Sequence, residues 1–366
     1  MSQNIIQPFP ACDNTHMILQ ELRDRTSAID EHGEYPGFIL KEMGAAGCFE
    51  ISGLNPGEAQ TKRLRVIEWI ATTCASTAFL AWCQSSAILY VNASENMFLT
   101  TELLPALETV QLLGGTAMSN PMKYYSGMEP LRLKAVPSGD DYLVTGVVPF
   151  VSNLGSGHWF GALADVATNY RIMMMIPCDT PGLTLIEDKD FAALNGTRTF
   201  SCRFDAVKVS RSWIIDANAD QWVQSVRPAF VLSQVGIGLG LVQTAIDHMD
   251  QVRHKQQRTN EYLSQQPDDF RRELMELRHH AYQLAMAPVP ENLPDILEVR
   301  QRVAELALDA AQHALLAFGA AGFMRRSTVL RRWREALFFA ILTPAIKQLR
   351  RDRTRLASSL SQGYLA

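Results

Sequence analysis

The periodicity of apolar and polar residues divides the chain into three parts. Residues 1–113 mix apolar and charged positions with few interruptions, as helices do, and residues 219–366 return to the same pattern. Between them, residues 114–218 alternate apolar and polar positions in short runs, which is the period of a half-buried strand. This order predicts an α+β protein with an N-terminal helical domain (1–113), a middle β domain (114–218) and a C-terminal helical domain (219–366).

The middle stretch predicts a small antiparallel sheet or barrel. Residues 131–152 form two alternating runs around the turn cluster Pro137-Ser-Gly-Asp-Asp, which is the pattern of a hairpin. Further short runs begin at Arg171 and at Phe200. Four or more short strands separated by turn residues are typical of all-β units of this kind.

The clearest helix lies in the last stretch. We expect Asp295 to cap its start, with Glu298 at the third helical position, and Gly319 to end it. One apolar face follows the helical spacing of three and four: Val299, Val303, Leu306, Ala310, Ala314 and Ala317.

The span from Trp69 to Ser94 contains no charged residue and is long enough to cross a bilayer. It also contains several serines, threonines and a glutamine, whose side chains pack well between helices in a protein core. We therefore expect a buried helix, or two helices joined near Gln84-Ser85-Ser86, and no membrane partner.

Composition excludes several functional classes. Hydrophobic residues make up 47% of the chain and charged residues 20%, as in a globular protein. The net charge of −4 argues against a general nucleic-acid binder. The six cysteines include no C-x-x-C pair, and the N-terminus lacks the pattern of a signal peptide, so we expect a cytoplasmic protein.

Two further motifs each have two interpretations. Val235-Gly-Ile-Gly-Leu-Gly has the spacing G-x-G-x-G inside a helical pattern, which favours close helix packing over a dinucleotide-binding loop. The basic tail carries ten arginines and lysines between Arg325 and Arg355, against only two acids, and is either a solvated helix face or an anion-binding surface. The eight histidines have no metal-ligand spacing, so no metal site is expected.

The segment Phe150-Val-Ser-Asn-Leu-Gly-Ser-Gly-His-Trp-Phe combines an aromatic ring, a hydroxyl and an amide at the end of a predicted strand. Aromatic side chains can wall a flat ring system, and hydroxyls and backbone amides can bind its heteroatoms. An ordinary strand end followed by a polar turn has the same composition. The spacing alone does not distinguish these two interpretations.

Four motifs in order resemble the acyl-CoA dehydrogenase superfamily. They are Cys74-Ala-Ser-Thr-Ala-Phe, Gly115-Thr-Ala-Met-Ser-Asn-Pro, Asp141-Tyr-Leu-Val-Thr-Gly-Val-Val-Pro-Phe-Val-Ser-Asn, and Ala317-Phe-Gly-Ala-Ala-Gly-Phe followed by Leu330-Arg-Arg-Trp-Arg-Glu-Ala. The resemblance covers nearly the whole length. It implies an N-terminal helical domain, a middle antiparallel β-barrel or sandwich, a C-terminal helical bundle, FAD as cofactor and assembly as a homodimer or homotetramer.

Cofactor-binding residues are carried over from the resemblance position by position. Thr116, Met118 and Ser119 would border the flavin ring and its pyrimidine edge. Phe150 and Ser152 would cover the ring and hydrogen-bond near its reactive nitrogen. Arg258 would contact the FAD pyrophosphate of a neighbouring subunit.

The resemblance is weaker at the catalytic positions. The two places where such proteins carry a glutamate base hold Thr343 and Val226, and neither side chain can accept an α-proton. Glu335 is near in sequence but falls on a different helical turn. Asn120 stands in place of the acid in the usual Thr-Glu-Pro, and Leu316, Asn260 and Tyr124 replace other motif residues.

Three functions therefore stay open. The first is a FAD-dependent oxidoreductase acting on a small molecule, with an acyl thioester as one candidate. The second is a flavin-dependent monooxygenase on the same scaffold, with Ser152 and His158 as candidate site residues, although a lone histidine in such a turn more often faces away. The third is a non-catalytic relative whose flavin site is eroded, so that the cofactor is FAD, FMN or none.

Overall fold

The computed structural model describes residues 13–188 and 190–363. The first helices are α1 (Asp13–His32), α2 (Gly37–Ala45), α3 (Pro56–Ala71), α4 (Ala75–Asn92) and α5 (Leu104–Glu108), the last preceded by a π-helical turn (Leu99–Leu103). The middle elements are β1 (Gly114–Thr116), α6 (Ser119–Tyr125), β2 (Leu133–Ser138), β3 (Asp141–Val151), β4 (Trp159–Ala167), β5 (Tyr170–Pro177), β6 (Leu183–Glu187), β7 (Phe200–Val209) and β8 (Ile214–Asp216). The last helices are α7 (Ala219–Val252), α8 (Pro267–Ala285), α9 (Leu293–Phe318), α10 (Thr328–Ile341) and α11 (Ile346–Gly363).

The strands form one sheet in the order β6-β7-β3-β2-β4-β5-β8, with β1 beside β4. The predicted hairpin is present as β2 and β3, where Ser138 lies opposite Asp141. Most strand pairs are antiparallel, as expected, but β4 runs parallel to both β1 and β2, so the sheet is mixed. Since β3 occupies one edge of β2, the next strand returns on the other edge and runs in the same direction as β2.

Two hydrophobic cores support this architecture. Helices from both ends of the chain share the larger core, to which Leu22, Leu80, Val235 and Phe339 contribute. The sheet has a separate core that includes Phe160. The N-terminal and C-terminal helices are therefore packed together into one helical layer.

Helix α7 lies at the centre of the helical layer, and its glycines allow close approach on two sides. A Cβ atom at Gly236 would lie 2.7 Å from the carbonyl oxygen of Leu64 in α3, and one at Gly238 would lie 2.3 Å from the ring of Phe339 in α10. This geometry confirms the helix-packing interpretation of the glycine motif. Among the described helices, α7 alone is long and apolar enough to cross a membrane, and 89% of its most apolar window is buried inside the protein.

The uncharged span is resolved into the end of α3 and the whole of α4. The two helices meet at Thr72–Cys74, and α4 continues through Gln84-Ser85-Ser86 without a break. The buried helix was therefore predicted correctly, whereas the alternative junction was wrong. Gln84 stays helical and buried because its side-chain amide donates to the carbonyl oxygens of Leu107 and Leu112.

Helix α9 confirms its predicted apolar face and its stop. All six apolar positions are buried, and Gly319 ends the helix with a φ of +60°. The predicted cap is wrong, because the helix begins at Leu293 and Asp295 lies within its first turn. Pro294 explains the earlier start. Proline is already restricted to a helical φ, and it lacks the backbone N–H that the first turn of a helix would leave without a partner.

Candidate functional site

The end of β3 presents an aromatic ring to solvent. A register shift in the pairing with β7 between Val148 and Val151 marks a bulge, and Phe150 within it has a φ of +59°. Val148 and Val151 are buried, whereas Phe150 is 62% exposed and makes a ring contact with Phe191 at 6.3 Å. The bulge therefore turns one large apolar side chain outwards from the sheet.

Ser152 follows directly and belongs to a row of three buried hydroxyls, which we call the hydroxyl relay. Ser152 Oγ lies 2.7 Å from Thr199 Oγ1, and Thr199 Oγ1 lies 2.9 Å from Thr197 Oγ1. Thr197 Oγ1 in turn donates to the carbonyl oxygen of Leu194 at 2.7 Å. Sequence reasoning missed both threonines: Thr197 ends the 3₁₀ turn Asn195–Thr197 and Thr199 lies just before β7, so no periodic pattern marks them.

Thr116 and Met118 lie behind this surface. Thr116 pairs with Ser152 through a backbone bridge, and its Oγ1 lies 2.7 Å from the hydroxyl of Tyr90. Burial raises the pKa of Tyr90 far above its usual value, so this phenol stays neutral. Met118 is 1% exposed. Both predicted residues are therefore buried, and their place beside a flavin ring stays a prediction.

Ser119 and Thr343 meet where the sheet region contacts the C-terminal bundle. Ser119, at the start of α6, and Thr343, just after α10, are partly exposed, and their hydroxyls lie 3.0 Å apart. Gln234 in α7 donates to the carbonyl oxygen of Thr343 at 2.9 Å. The structure thus brings together a predicted ring contact and the predicted base position, which are distant in sequence.

Arg300 lies beneath Thr343 and is fully buried. It donates to Gln234 Oε1 and to the carbonyl oxygens of Phe339 and Leu342, and its guanidinium stacks on the Phe339 ring at 3.8 Å. Among the described residues no carboxylate pairs with it, and its Nη1 has no hydrogen-bond partner. Burial lowers the pKa of Arg300 to about 9, so it stays charged at neutral pH and fixes the end of α10.

Glu335 does not supply the base that the two family positions lack. Val226 is buried in α7. Glu335 is 2% exposed and bound by two arginines, at 2.6 Å from Arg332 and 3.6 Å from Arg331. This carboxylate therefore neutralises buried cations and does not face the site.

Arg258 lies apart from this cluster. It has a φ of +64° within a 3₁₀ segment (Gln256–Tyr262), and its side chain is 64% exposed. Its guanidinium forms an ion pair with Glu261 at 3.2 Å. The position is open to solvent, so its predicted contact with a neighbouring subunit stays a prediction.

His158 is not the outward-facing turn residue that the sequence favoured. It is 7% exposed, and its Nδ1 lies 2.9 Å from the carbonyl oxygen of Asn153. Because a carbonyl oxygen only accepts, Nδ1 carries the proton and Nε2 is an acceptor. Burial lowers the pKa of His158, which favours the neutral ring.

The basic tail consists largely of contacts between elements. Arg334 binds Asp30 in α1, Arg353 pairs with Glu298 at 2.8 Å, and Arg350 pairs with Glu305 at 2.6 Å. These pairs join α10 and α11 to α1 and α9. The solvated-face interpretation is therefore incomplete, and the anion-binding interpretation stays a prediction. In the described part of the chain, no cluster of histidines, cysteines and carboxylates has a metal-binding arrangement.

Comparison with curated proteins finds similar sequences, although no family model matches the chain. The chain is 23% identical over 248 residues to the probable acyl-CoA dehydrogenase YngJ of Bacillus subtilis, covering 62% of this chain and 63% of that protein. It is 21% identical over 339 residues to the probable acyl-CoA dehydrogenase fadE25 of Mycobacterium leprae, covering 87% and 86%. The match thus spans slightly less than two thirds of the Bacillus protein and most of the Mycobacterium protein.

Solved structures share the fold. A glutaryl-coenzyme A dehydrogenase in complex with glutaryl-CoA aligns with a TM-score of 0.81 at 18% identity, covering 95% of this chain and 96% of that one. The dibenzothiophene monooxygenase TdsC of Paenibacillus sp. A11-2 aligns with a TM-score of 0.76 at 16% identity, covering 92% and 94%. Fold and sequence similarity together confirm the resemblance that the motifs indicated: the chain is a relative of the acyl-CoA dehydrogenase superfamily.

Proposed function

We propose that the chain is a flavin-dependent oxidoreductase with FAD as its cofactor, acting on a small molecule such as an acyl thioester. The observation that carries the proposal is the exposed ring of Phe150, which lies two residues before a buried serine hydroxyl at the end of β3. The similarity to acyl-CoA dehydrogenases supports the reaction class.

The residues present fit the ring end of a flavin. A flat heterocycle needs an apolar wall and hydrogen-bonding groups at its polar edge. Phe150 offers the wall, and the partly exposed hydroxyls of Ser119 and Thr343 offer groups that can donate or accept. FAD bound here would supply the electron transfer, and Ser152, Ser119 and Phe150 would hold and orient its ring.

The substrate chemistry differs from removal of an α-proton by a glutamate at the usual positions. Thr343 and Val226 carry no group that titrates near neutral pH, and Glu335 is bound by two arginines. We infer that any proton acceptor in the reaction lies elsewhere or belongs to the substrate.

Flavin binding tests this function directly. Purified protein, as isolated or after addition of FAD, should show the visible flavin absorption band and quenched flavin fluorescence. Phe150→Ala should weaken FAD binding about tenfold, since an aromatic wall contributes on the order of 1 kcal/mol beyond its buried area.

Val147→Ala is the matched control, because Val147 is also an exposed apolar residue of β3. It should leave FAD affinity unchanged. Failure of the wild-type protein to bind FAD or FMN would refute the proposed function. The third alternative, a non-catalytic relative, would then be favoured. It is motivated by residues such as Tyr124, which replaces a family motif residue and has its ring 5.1 Å from the guanidinium of Arg171.

One observation favours oxygenation as the second candidate. His158, close to Ser152 in sequence, has a buried, neutral ring whose Nε2 is an acceptor. An oxygenase reaction needs no glutamate base, which Thr343 and Val226 do not supply. Mixing the flavin-reduced protein with oxygen distinguishes the two candidates. Reoxidation that is coupled to substrate hydroxylation supports an oxygenase; reoxidation that yields no hydroxylated substrate supports a dehydrogenase.

A further inference from the structure

The hydroxyl relay has only one order of protons that satisfies all of its members. The carbonyl oxygen of Leu194 can only accept, so Thr197 must donate its single proton to it. Thr197 then offers Thr199 only lone pairs, and Thr199 must donate to Thr197. By the same reasoning Ser152 must donate to Thr199. Any other order would place two oxygens without a proton between them at hydrogen-bond distance in a buried site, which is costly.

Ser152 is consequently an acceptor toward every other group. Its proton is committed to Thr199, and its two lone pairs receive no hydrogen bond from another described residue. Ser152, Thr199 and Thr197 are 5%, 7% and 2% exposed, so water has little access to change the proton order. A hydroxyl that would ordinarily donate or accept is thereby restricted to accepting.

The surrounding backbone holds the relay in place. The amide of Asn153 donates to the carbonyl oxygen of Thr197 at 3.0 Å, and the amide of Asp188 donates to the carbonyl oxygen of Thr199 at 2.9 Å. Leu194 and Arg198 have φ angles of +66° and +43°, a region that such residues rarely adopt. Backbone of this kind persists only where neighbouring contacts determine it, and it clusters at ligand sites.

We propose that Ser152 makes the site prefer the reduced form of the flavin over the oxidised form. This inference rests on the proposed function and on the resemblance to acyl-CoA dehydrogenases, by which Ser152 would lie near the reactive nitrogen of the ring. That nitrogen carries a proton in the reduced ring and only a lone pair in the oxidised ring. A hydroxyl oxygen that only accepts can bind the N–H of the reduced ring. It places a lone pair against the lone pair of the oxidised ring, which is unfavourable. Thr199 and Thr197 are positioning residues, because they act only through Ser152.

Anaerobic binding measurements on the full-length protein test the proposal. The dissociation constants of oxidised and reduced FAD are determined by calorimetry for the wild type and for Thr199→Val, which removes the acceptor of the Ser152 proton and frees Ser152 to donate. The wild type should bind reduced FAD more tightly. In Thr199→Val the ratio of the two constants should shift toward the oxidised form by roughly tenfold, the effect of one hydrogen bond.

Thr180→Val is the matched control. Thr180 is also buried and donates its hydroxyl proton to a carbonyl oxygen, that of Pro177, outside the relay. Its ratio should equal that of the wild type. Ser152→Ala should lose the preference as well, and it replaces Thr199→Val if that variant does not fold, as judged by circular dichroism.

The outcomes separate the two proposals. If both forms of FAD bind and Thr199→Val or Ser152→Ala leaves the ratio unchanged, the role of Ser152 is refuted while the proposed function stands. Equal affinity of the wild type for both forms refutes it in the same way. If neither form binds to the wild type, both proposals are refuted.

Discussion

Single residues in this protein owe their properties to burial more than to their type. Arg300 and His248 are both charged or chargeable groups without a carboxylate partner among the described residues. The sequence shows neither environment, because a histidine or arginine on a helix is as often exposed. The same holds for the hydroxyl relay, where the direction of each hydrogen bond among three hydroxyl side chains is set by the neighbouring groups.

His248 predicts a specific acid sensitivity. It is 9% exposed, and burial, with Arg332 and Arg331 nearby, lowers its pKa to about 4. Because the unfolded chain takes up this proton near pH 6.5 and the folded protein does not, stability is complete above pH 6.5 and falls as the pH drops toward 4. The loss from this residue amounts to about 3 kcal/mol.

Urea unfolding at several pH values, on wild type and His248→Gln, measures this contribution. The variant should lose less stability between pH 6.5 and 4 than the wild type does. His279→Gln, at an exposed position of α8, serves as the control and should follow the wild type. Parallel curves for wild type and His248→Gln would contradict the assignment.

Whole elements were predicted well wherever one face is buried along their length. The apolar stripe of α9 and the hairpin of β2 and β3 follow directly from periodicity. Helix ends were predicted less well, since Asp295 is not a cap and α4 does not break at Gln84. An end depends on a few local hydrogen bonds, whereas a buried face is recorded in many residues.

The glycines of α7 give a prediction at this scale. Alanine has a helix propensity better than that of glycine by about 1 kcal/mol, yet Gly236→Ala should destabilise the protein by about 1–3 kcal/mol. The reason is that the new Cβ would lie 2.7 Å from the Leu64 carbonyl oxygen and 2.9 Å from the Glu68 nitrogen, and backbone cannot move aside as a side chain can.

Chemical denaturation of Gly236→Ala and of Gln224→Ala makes the comparison within one helix. Gln224 is exposed on α7, so its replacement should be nearly neutral. A stabilised Gly236→Ala protein would mean that α3 and α7 are not packed as closely as described.

At the scale of the whole molecule, the ends of the chain share one core and leave an apolar surface uncovered. Leu316, near the end of α9, is 53% exposed, and Phe323 and Met324, between α9 and α10, are 71% and 67% exposed. Exposed apolar groups of this size typically mark contact with another protein. They support the expected homodimer or homotetramer, in which Arg258 would reach a neighbouring flavin site.

Light scattering on the purified protein should therefore report a dimer or tetramer, and Phe323→Glu should shift it toward the monomer, because a charge in an apolar interface is costly. Met97→Glu changes an equally exposed residue far from α9 in sequence and should leave the assembly unchanged. A monomeric wild type would contradict both the assembly and the role assigned to Arg258.

The sequence by itself determined the order of helices, sheet and helices, the helix-packing role of the α7 glycines and the superfamily resemblance. These features are encoded locally, in periodicities and motifs that each span about 20 residues or fewer. Only the tertiary structure decided that β4 runs parallel to β2, that His158 is buried, and that Ser119 meets Thr343 across 224 positions of the chain. Such contacts depend on how whole elements pack, and the pairing of a hydroxyl or a buried charge leaves no periodic signal in the residues around it.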